Sequence, residues 1–182
     1  FNTVSVAVVA ATNAKLYVNR EDGFIGFGLK KDEYVCDCSD IDDIIIFRRD
    51  GKCMVTKIQE KVFVGKDIIF CSVFRKGDDR RVYNLMYTDG NSGVTYAKRF
   101  CVTAVTRDRE YDLTAGNPKS KLLWFTANDN GEAETVEVKL TAACTAKVKQ
   151  FEWDFAKLSI KNREALGNQV TKFPVRKVEL KR

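Results

Sequence analysis

A chain of 182 residues with 45% hydrophobic and 31% charged side chains can bury a core, as one domain or as several small modules. Its 31 Lys and Arg outnumber 25 Asp and Glu for a net charge of +6, and it has no histidine, which removes Ser-His and Cys-His nucleophilic pairs, the usual general base and the common zinc sites. The charge is uneven, 8 basic against 10 acidic residues in 1–60 and 23 against 15 in the rest, so the later two-thirds suits a polyanion.

Residues 1–13 form a leading segment. Its apolar run at 6–11, VAVVAA, falls short of the roughly 18 residues of a membrane span and lacks the form of a signal peptide; no membrane partner is expected. With Phe1 in place of an initiator Met, the chain reads as a soluble piece of something longer. From residue 14 to 182 period-two alternation dominates and predicts an all-β chain. IIIF at 44–47 and LLWF at 122–125 are apolar throughout, as strands covered on both faces would be. RRVYNLMYTDGNSGVTYAKRF at 80–100 reads as strand, turn, strand with cations at both ends. Around Asp108 the sequence RDREY allows a brief helical turn capped by the aspartate. TVEVKL at 135–140 alternates strictly, and QFEWDF at 150–155 puts three aromatics on one face.

Asp22-Gly23, Asp50-Gly51, Asp89-Gly90, Asn130-Gly131 and Gly167-Asn168 separate these runs, and such pairs favour tight hairpins because both turn positions tolerate positive φ. The glycines recur at intervals of 28, 39, 41 and 36 residues. A period near forty with several strands per unit predicts propeller-like blades or a related β array; a β-sandwich with evenly spaced hairpins is the alternative. The six cysteines (36, 38, 53, 71, 101 and 144) match neither a redox C-x-x-C nor a zinc pair of pairs. They are expected to be buried and reduced, in a cytoplasmic setting.

Cations recur beside the turns: Arg48, Arg49 and Lys52; Arg80, Arg81, Lys98 and Arg99; Lys119 and Lys121; Lys161, Arg163, Lys172, Arg176 and Lys177. If the units repeat in space, equivalent positions fall along one rim and form a basic stripe. A stripe of that kind fits the phosphates of duplex DNA through many salt-sensitive contacts. No recognition helix, zinc finger or aromatic-basic strand surface is present for base reading, so binding is expected to be sequence-independent, with preference arising from DNA bendability. The competing reading is a propeller-like protein-interaction module in which the charge only aids solubility.

Four stretches carry a resemblance: AKLYVNREDGFIGFGLKKDEYVCDCSDIDDIIIFRRDGK at 14–52, KRFCVTAVTRDREYDLT at 98–114, NGEAETVEVKL at 130–140 and LSIKNREALGNQVTKFPVRKVEL at 158–180. From residue 14 onward the chain resembles the C-terminal domain of bacterial type IIA topoisomerase A subunits, the topoisomerase IV form more than its gyrase counterpart. The resemblance implies a β-pinwheel of roughly four-stranded blades whose basic perimeter binds and bends duplex DNA, presenting a segment for ATP-dependent strand passage. It also implies a parent A2B2 assembly with an ATPase B subunit using ATP and Mg2+. This chain itself is expected to hold no cofactor, no metal and no catalytic residue, because the motif around the family's catalytic tyrosine is absent. The gyrase box QRRGGKG is missing too. In the nearest stretch, KNREALGN at 161–168, Asn162 replaces a glycine and Glu164 adds an acid. Four or five turn units fall short of the six blades of a full ring, so an incomplete ring of four to five blades is expected.

Overall fold

The computed structural model describes residues 13–181; all of the leading segment but Asn13 lies outside them. The chain divides into two units. The first runs up to Lys76 and adds Val105–Tyr111; the second comprises Gly77–Ala104 and the chain from Asp112 onward.

Sixteen strands account for nearly all regular structure among the described residues. They are β1 (Ala14–Asn19), β2 (Phe24–Gly26), β3 (Glu33–Cys38), β4 (Asp43–Arg48), β5 (Lys52–Lys57), β6 (Val62–Phe63), β7 (Ile68–Phe74), β8 (Val82–Thr88) and β9 (Thr95–Phe100), followed by β10 (Tyr111–Asp112), β11 (Lys121–Asn128), β12 (Thr135–Leu140), β13 (Gln150–Asp154), β14 (Ile160–Lys161), β15 (Asn168–Thr171) and β16 (Val175–Leu180). They form four small sheets, none closed into a barrel, in agreement with pinwheel blades.

One plan generates every sheet. Each is built on an antiparallel hairpin: β1–β2, β4–β5, β8–β9 and β12–β13. A further strand pairs with the hairpin's first strand, β3 on β1, β7 on β4, β11 on β8 and β16 on β12. A later strand covers the hairpin's second strand: β6 on β2, β10 on β5, and both β14 and β15 on β9. That covering strand always follows the next hairpin in the chain, so each repeat hands a strand back to the one before it. In the fourth sheet, no strand among the described residues covers β13.

Alternation places the core. In β12, Val136, Val138 and Leu140 are buried while the residues between them are not. Phe151 and Trp153 of β13 pack on the same cluster as buried Phe155, which is the single aromatic face read from the sequence. Ile44, Ile45, Ile46 and Phe47 of β4 are all buried, as an apolar run covered on both faces requires; each contributes about 1.5–3 kcal/mol of transfer free energy. Leu122 to Phe125 are only half-buried, so β11 is less covered than its sequence suggests. The first unit's core gathers Leu16, Val18, Ile25, Ile44, Ile46 and Ile68. The second gathers Met86, Ala97, Val136, Val138 and Phe155. All six cysteines are free thiols; Cys38, Cys53 and Cys71 are buried, while Cys36, Cys101 and Cys144 are half-buried.

Four local expectations need correction. Gly167-Asn168 closes no hairpin, since β14 and β15 both pair with β9 and not with each other. Asp108 caps no helix: it sits at φ 65 in a turn, its amide donates to Val55 O at 2.7 Å, and its carboxylate accepts from Thr56 Oγ1 at 2.6 Å. Among the described residues the only helical element is the 3-10 turn Phe155–Lys157. Asn130-Gly131 does not close a hairpin but links β11 of the third sheet to β12 of the fourth, and the fourth hairpin is turned by residues 141–149, which carry no Asn-Gly or Asp-Gly. At Asp89-Gly90 the positive φ falls later, on Gly93 at 75°, because the connection is a six-residue loop rather than a two-residue turn.

Candidate nucleic-acid interface

The cations beside the turns fall into three physical classes: those spent on the protein's own carbonyls, those paired with its carboxylates and those turned to water. The base of the β8–β9 hairpin holds the first class. Lys98 is 3% exposed and donates from Nζ to Arg163 O at 2.7 Å and Ala165 O at 2.9 Å. Arg99 is 7% exposed; its Nε donates to Asn84 Oδ1 at 2.9 Å and its Nη2 to Gly131 O at 2.7 Å. Asn84 in turn donates to Glu132 O and to Glu134, whose carboxylate also accepts from Trp124 Nε1 and Thr126 Oγ1. A buried charge persists when its donors are satisfied, and these are satisfied by segments returning to or leaving the sheet. Neither side chain is available to phosphate.

Arg48 behaves alike in the first unit. Its Nη1 donates to Val64 O at 3.0 Å just after β6, and the guanidinium pairs with Asp50 at 2.9 Å and Glu110 at 2.5 Å. Arg20, outside the sequence-predicted set, does the same service, donating to Ile69 O at 2.5 Å and pairing with Glu33 at 3.0 Å. Next to Arg48, Arg49 is exposed and its side chain has no hydrogen bond or ion pair among the described residues; Lys52 is half-buried. Arg81 pairs with Asp129 at 2.7 Å, and exposed Arg80 donates to Asn130 Oδ1 at 2.8 Å.

Lys119 and Lys121 lie at the other end of the third sheet. Lys121 opens β11 opposite Thr88, the last residue of β8, whereas Arg81 precedes the first. Cations thus mark both ends of this sheet rather than one rim. Lys119 and Lys121 are exposed, without an ion pair among the described residues. Lys119 stands at φ 65, uncommon for a residue with a side chain.

In the C-terminal stretch Lys161, Lys172 and Arg176 are exposed, and Lys172 Nζ lies 5.7 Å from the Phe173 ring centroid. Arg163 is half-buried and donates from Nη1 to Ala104 O at 3.1 Å. Lys177 pairs with Glu179 at 2.5 Å, and Lys139 reaches the same carboxylate at 3.1 Å. Lys177 and then Lys139 hold the Glu179 carboxyl down at about 2. Glu152, Glu137 and Glu179 stand in register across β13, β12 and β16, so this face of the fourth sheet balances its charge internally and offers little to a polyanion.

Of the fourteen sequence-predicted cations, Arg49, Lys119, Lys121, Lys161, Lys172 and Arg176 are exposed and have no carboxylate partner among the described residues; Arg80 is exposed as well, and Lys52 is half-buried. Besides Arg20, one buried acid went unread in the sequence. Asp89, 6% exposed, accepts from Asn117 Nδ2 and Ser92 Oγ, both at 2.7 Å, and these bonds hold its carboxyl below the usual carboxylate range. The run Asp-Gly-Asn-Ser was its only signal in the sequence.

Among the described residues no His, Cys, Asp and Glu side chains gather into a potential metal site, and no helix is long and apolar enough to cross a membrane. The sequence profile described as Topoisomerase C-terminal domain, Bacteroidota, matches residues 15–182. The A subunit of DNA topoisomerase 4 from Borreliella burgdorferi is 25% identical over 178 residues, covering 97% of this chain and 26% of that protein. The chain therefore spans about a quarter of the length of the relative it matches.

Proposed function

Because the chain belongs to the topoisomerase C-terminal domain family of the Bacteroidota, in the form carried by type IIA A subunits, we propose that it binds duplex DNA without sequence preference and bends it. The observation that carries this reading is the outward set of cations, Arg49, Lys119, Lys121, Lys161, Lys172 and Arg176, unpaired by any carboxylate among the described residues. Each would neutralise a phosphate and release a condensed counterion, so modest contacts add to a salt-sensitive affinity. Bending is proposed with it, the duplex deforming at a cost repaid by additional contacts.

Under this proposal the chain presents a DNA segment to a larger enzyme. Strand cleavage, ATP and Mg2+ use, and pairing with a B subunit in an A2B2 assembly belong to regions beyond it, and the setting is the bacterial cytoplasm. The topoisomerase IV lean rests on the missing QRRGGKG box and on the named relative.

Titration of a fluorescent mixed-sequence duplex against salt tests the reading. Six contacts predict a log–log slope of about −5, at about −0.9 per phosphate. A donor–acceptor pair on the duplex ends should report shortening on binding. Undetectable binding at low salt, or a flat slope, would refute the proposal and favour a protein partner.

A further inference from the structure

The end of the third sheet that carries Lys119 and Lys121 is built from two loops, 89–94 and 115–120, stapled by one buried acid. Asp89 Oδ1 accepts from Asn117 Nδ2 at 2.7 Å and from the Asn91 amide at 3.3 Å. Its Oδ2 accepts from the Ser92 hydroxyl at 2.7 Å and the Ser92 amide at 3.3 Å. A carboxylate offers acceptors only, and all four of these partners are donors. The second staple is Ser120: its Oγ accepts from the Gly90 amide at 2.9 Å and donates to Asn117 O at 2.9 Å. A methyl group at Gly90 would overlap the Pro118 carbonyl, so the loops touch backbone to backbone. The outer surface of this tip is formed by Gly90, Asn91, Ser92, Gly93 and Gly116, all exposed and small, beside Lys119 and Lys121.

We propose that this stapled double loop is a phosphate-contacting platform and that Asp89 is its positioning residue, holding Lys119 and Lys121 at a fixed spacing over a surface low enough for a phosphodiester backbone to approach. The inference rests on the DNA-binding reading and deepens it. Small residues admit the backbone, and the left-handed Lys119 departs from the loop in a direction set by its neighbours rather than by its own preference. The arrangement makes an unusual demand on charge. By Coulomb attraction alone, neutralising an acid beside a DNA site strengthens binding. If Asp89 positions the platform, neutralising it weakens binding, because an amide NH2 would face N–H and O–H donors and the loops would part.

The experiment measures duplex affinity against salt for the whole chain and for Asp89→Asn, Gly90→Ala and the double variant Lys119→Ala/Lys121→Ala, with folded fractions checked by circular dichroism. The double variant should lose about 1.8 units of log–log slope, at about 0.9 per phosphate. Asp89→Asn should bind more weakly than the parent and lose most of the same slope, and adding it to the double variant should change nothing further. Gly90→Ala alters no charge, so it should weaken binding in the same direction and keeps the test alive if Asp89→Asn does not fold. If Asp89→Asn binds as tightly as the parent or tighter, the positioning role is overturned. If the double variant keeps the parental slope while the parent remains steeply salt-dependent, the platform is overturned and the general DNA reading survives. A parent with no salt dependence removes both.

Discussion

Replacing Lys98 by Met separates a carbonyl clamp from a phosphate contact. The two side chains have similar length and both suit an apolar site, so packing is largely kept. The loss is the ammonium, which leaves Arg163 O and Ala165 O without the donor now at 2.7 and 2.9 Å. Two charge-assisted bonds contribute about 1.5–3 kcal/mol each. Part of that is offset because Met has no charge to desolvate, and the effective penalty for burying an ion is several kcal/mol. A net destabilisation of about 2–3 kcal/mol follows, or a fall in Tm of about 5–10 °C for a chain of this size. Thermal unfolding by circular dichroism reads this directly, and a salt titration with duplex DNA on the same sample reads the alternative. A clamp lowers Tm and leaves the slope unchanged. The result that refutes the clamp is an unchanged Tm together with a slope shallower by about 0.9, the signature of one lost phosphate contact.

Arg49→Ala should do the reverse of Lys98→Met, costing about 0.9 of slope with no measurable change in Tm, since Arg49 is exposed and its side chain has no hydrogen bond or ion pair among the described residues. The Glu179 carboxyl sits at about 2 in the folded chain against an ordinary 4.5; a depressed acid stabilises the fold above its unfolded pKa, and the contribution fades as pH drops from 4.5 towards 2. Urea midpoints of the parent and Glu179→Gln should therefore differ at pH 7 and converge across that window; parallel curves would contradict the pairing with Lys177 and Lys139. Burial pushes the Cys71 thiol up to about 12 and the Cys38 thiol to about 11, so an aromatic disulfide reagent at pH 8 should modify neither until denaturant is added, while half-buried Cys36, Cys101 and Cys144 are the candidates for earlier reaction.

Strand character was legible wherever one face is wet: β12 and β13 alternate in sequence as they alternate in burial. Pairing was not. β6, β10 and β14 are two residues long and carry no distinctive pattern, and their places are set by partners far along the chain. The direction of the cations was legible only in part. In β9, Ala97 through Phe100 are all buried, so period two fails where both faces are covered; Lys98 and Arg99 look like surface charge in the sequence yet point at carbonyls. An apolar residue on each side of such a pair, here Ala97 and Phe100, is the clue that could have been weighed. The Asp89 staple escaped because three of its donors sit within three residues, as in any loop, while the fourth, Asn117, lies 28 positions away.

The handing back of strands has a consequence for synthesis. A ribosome releases β1 and β2 long before Val62 and Phe63, β4 and β5 long before Tyr111 and Asp112, and β9 long before residues 160–171. At every stage of translation the newest finished hairpin therefore waits with one ladder bare while its successor emerges. Such a chain matures in arrears. Its nascent forms present a bare edge to neighbours on the same messenger, and a pause placed just after a hairpin would prolong that exposure more than one placed just after a returning strand.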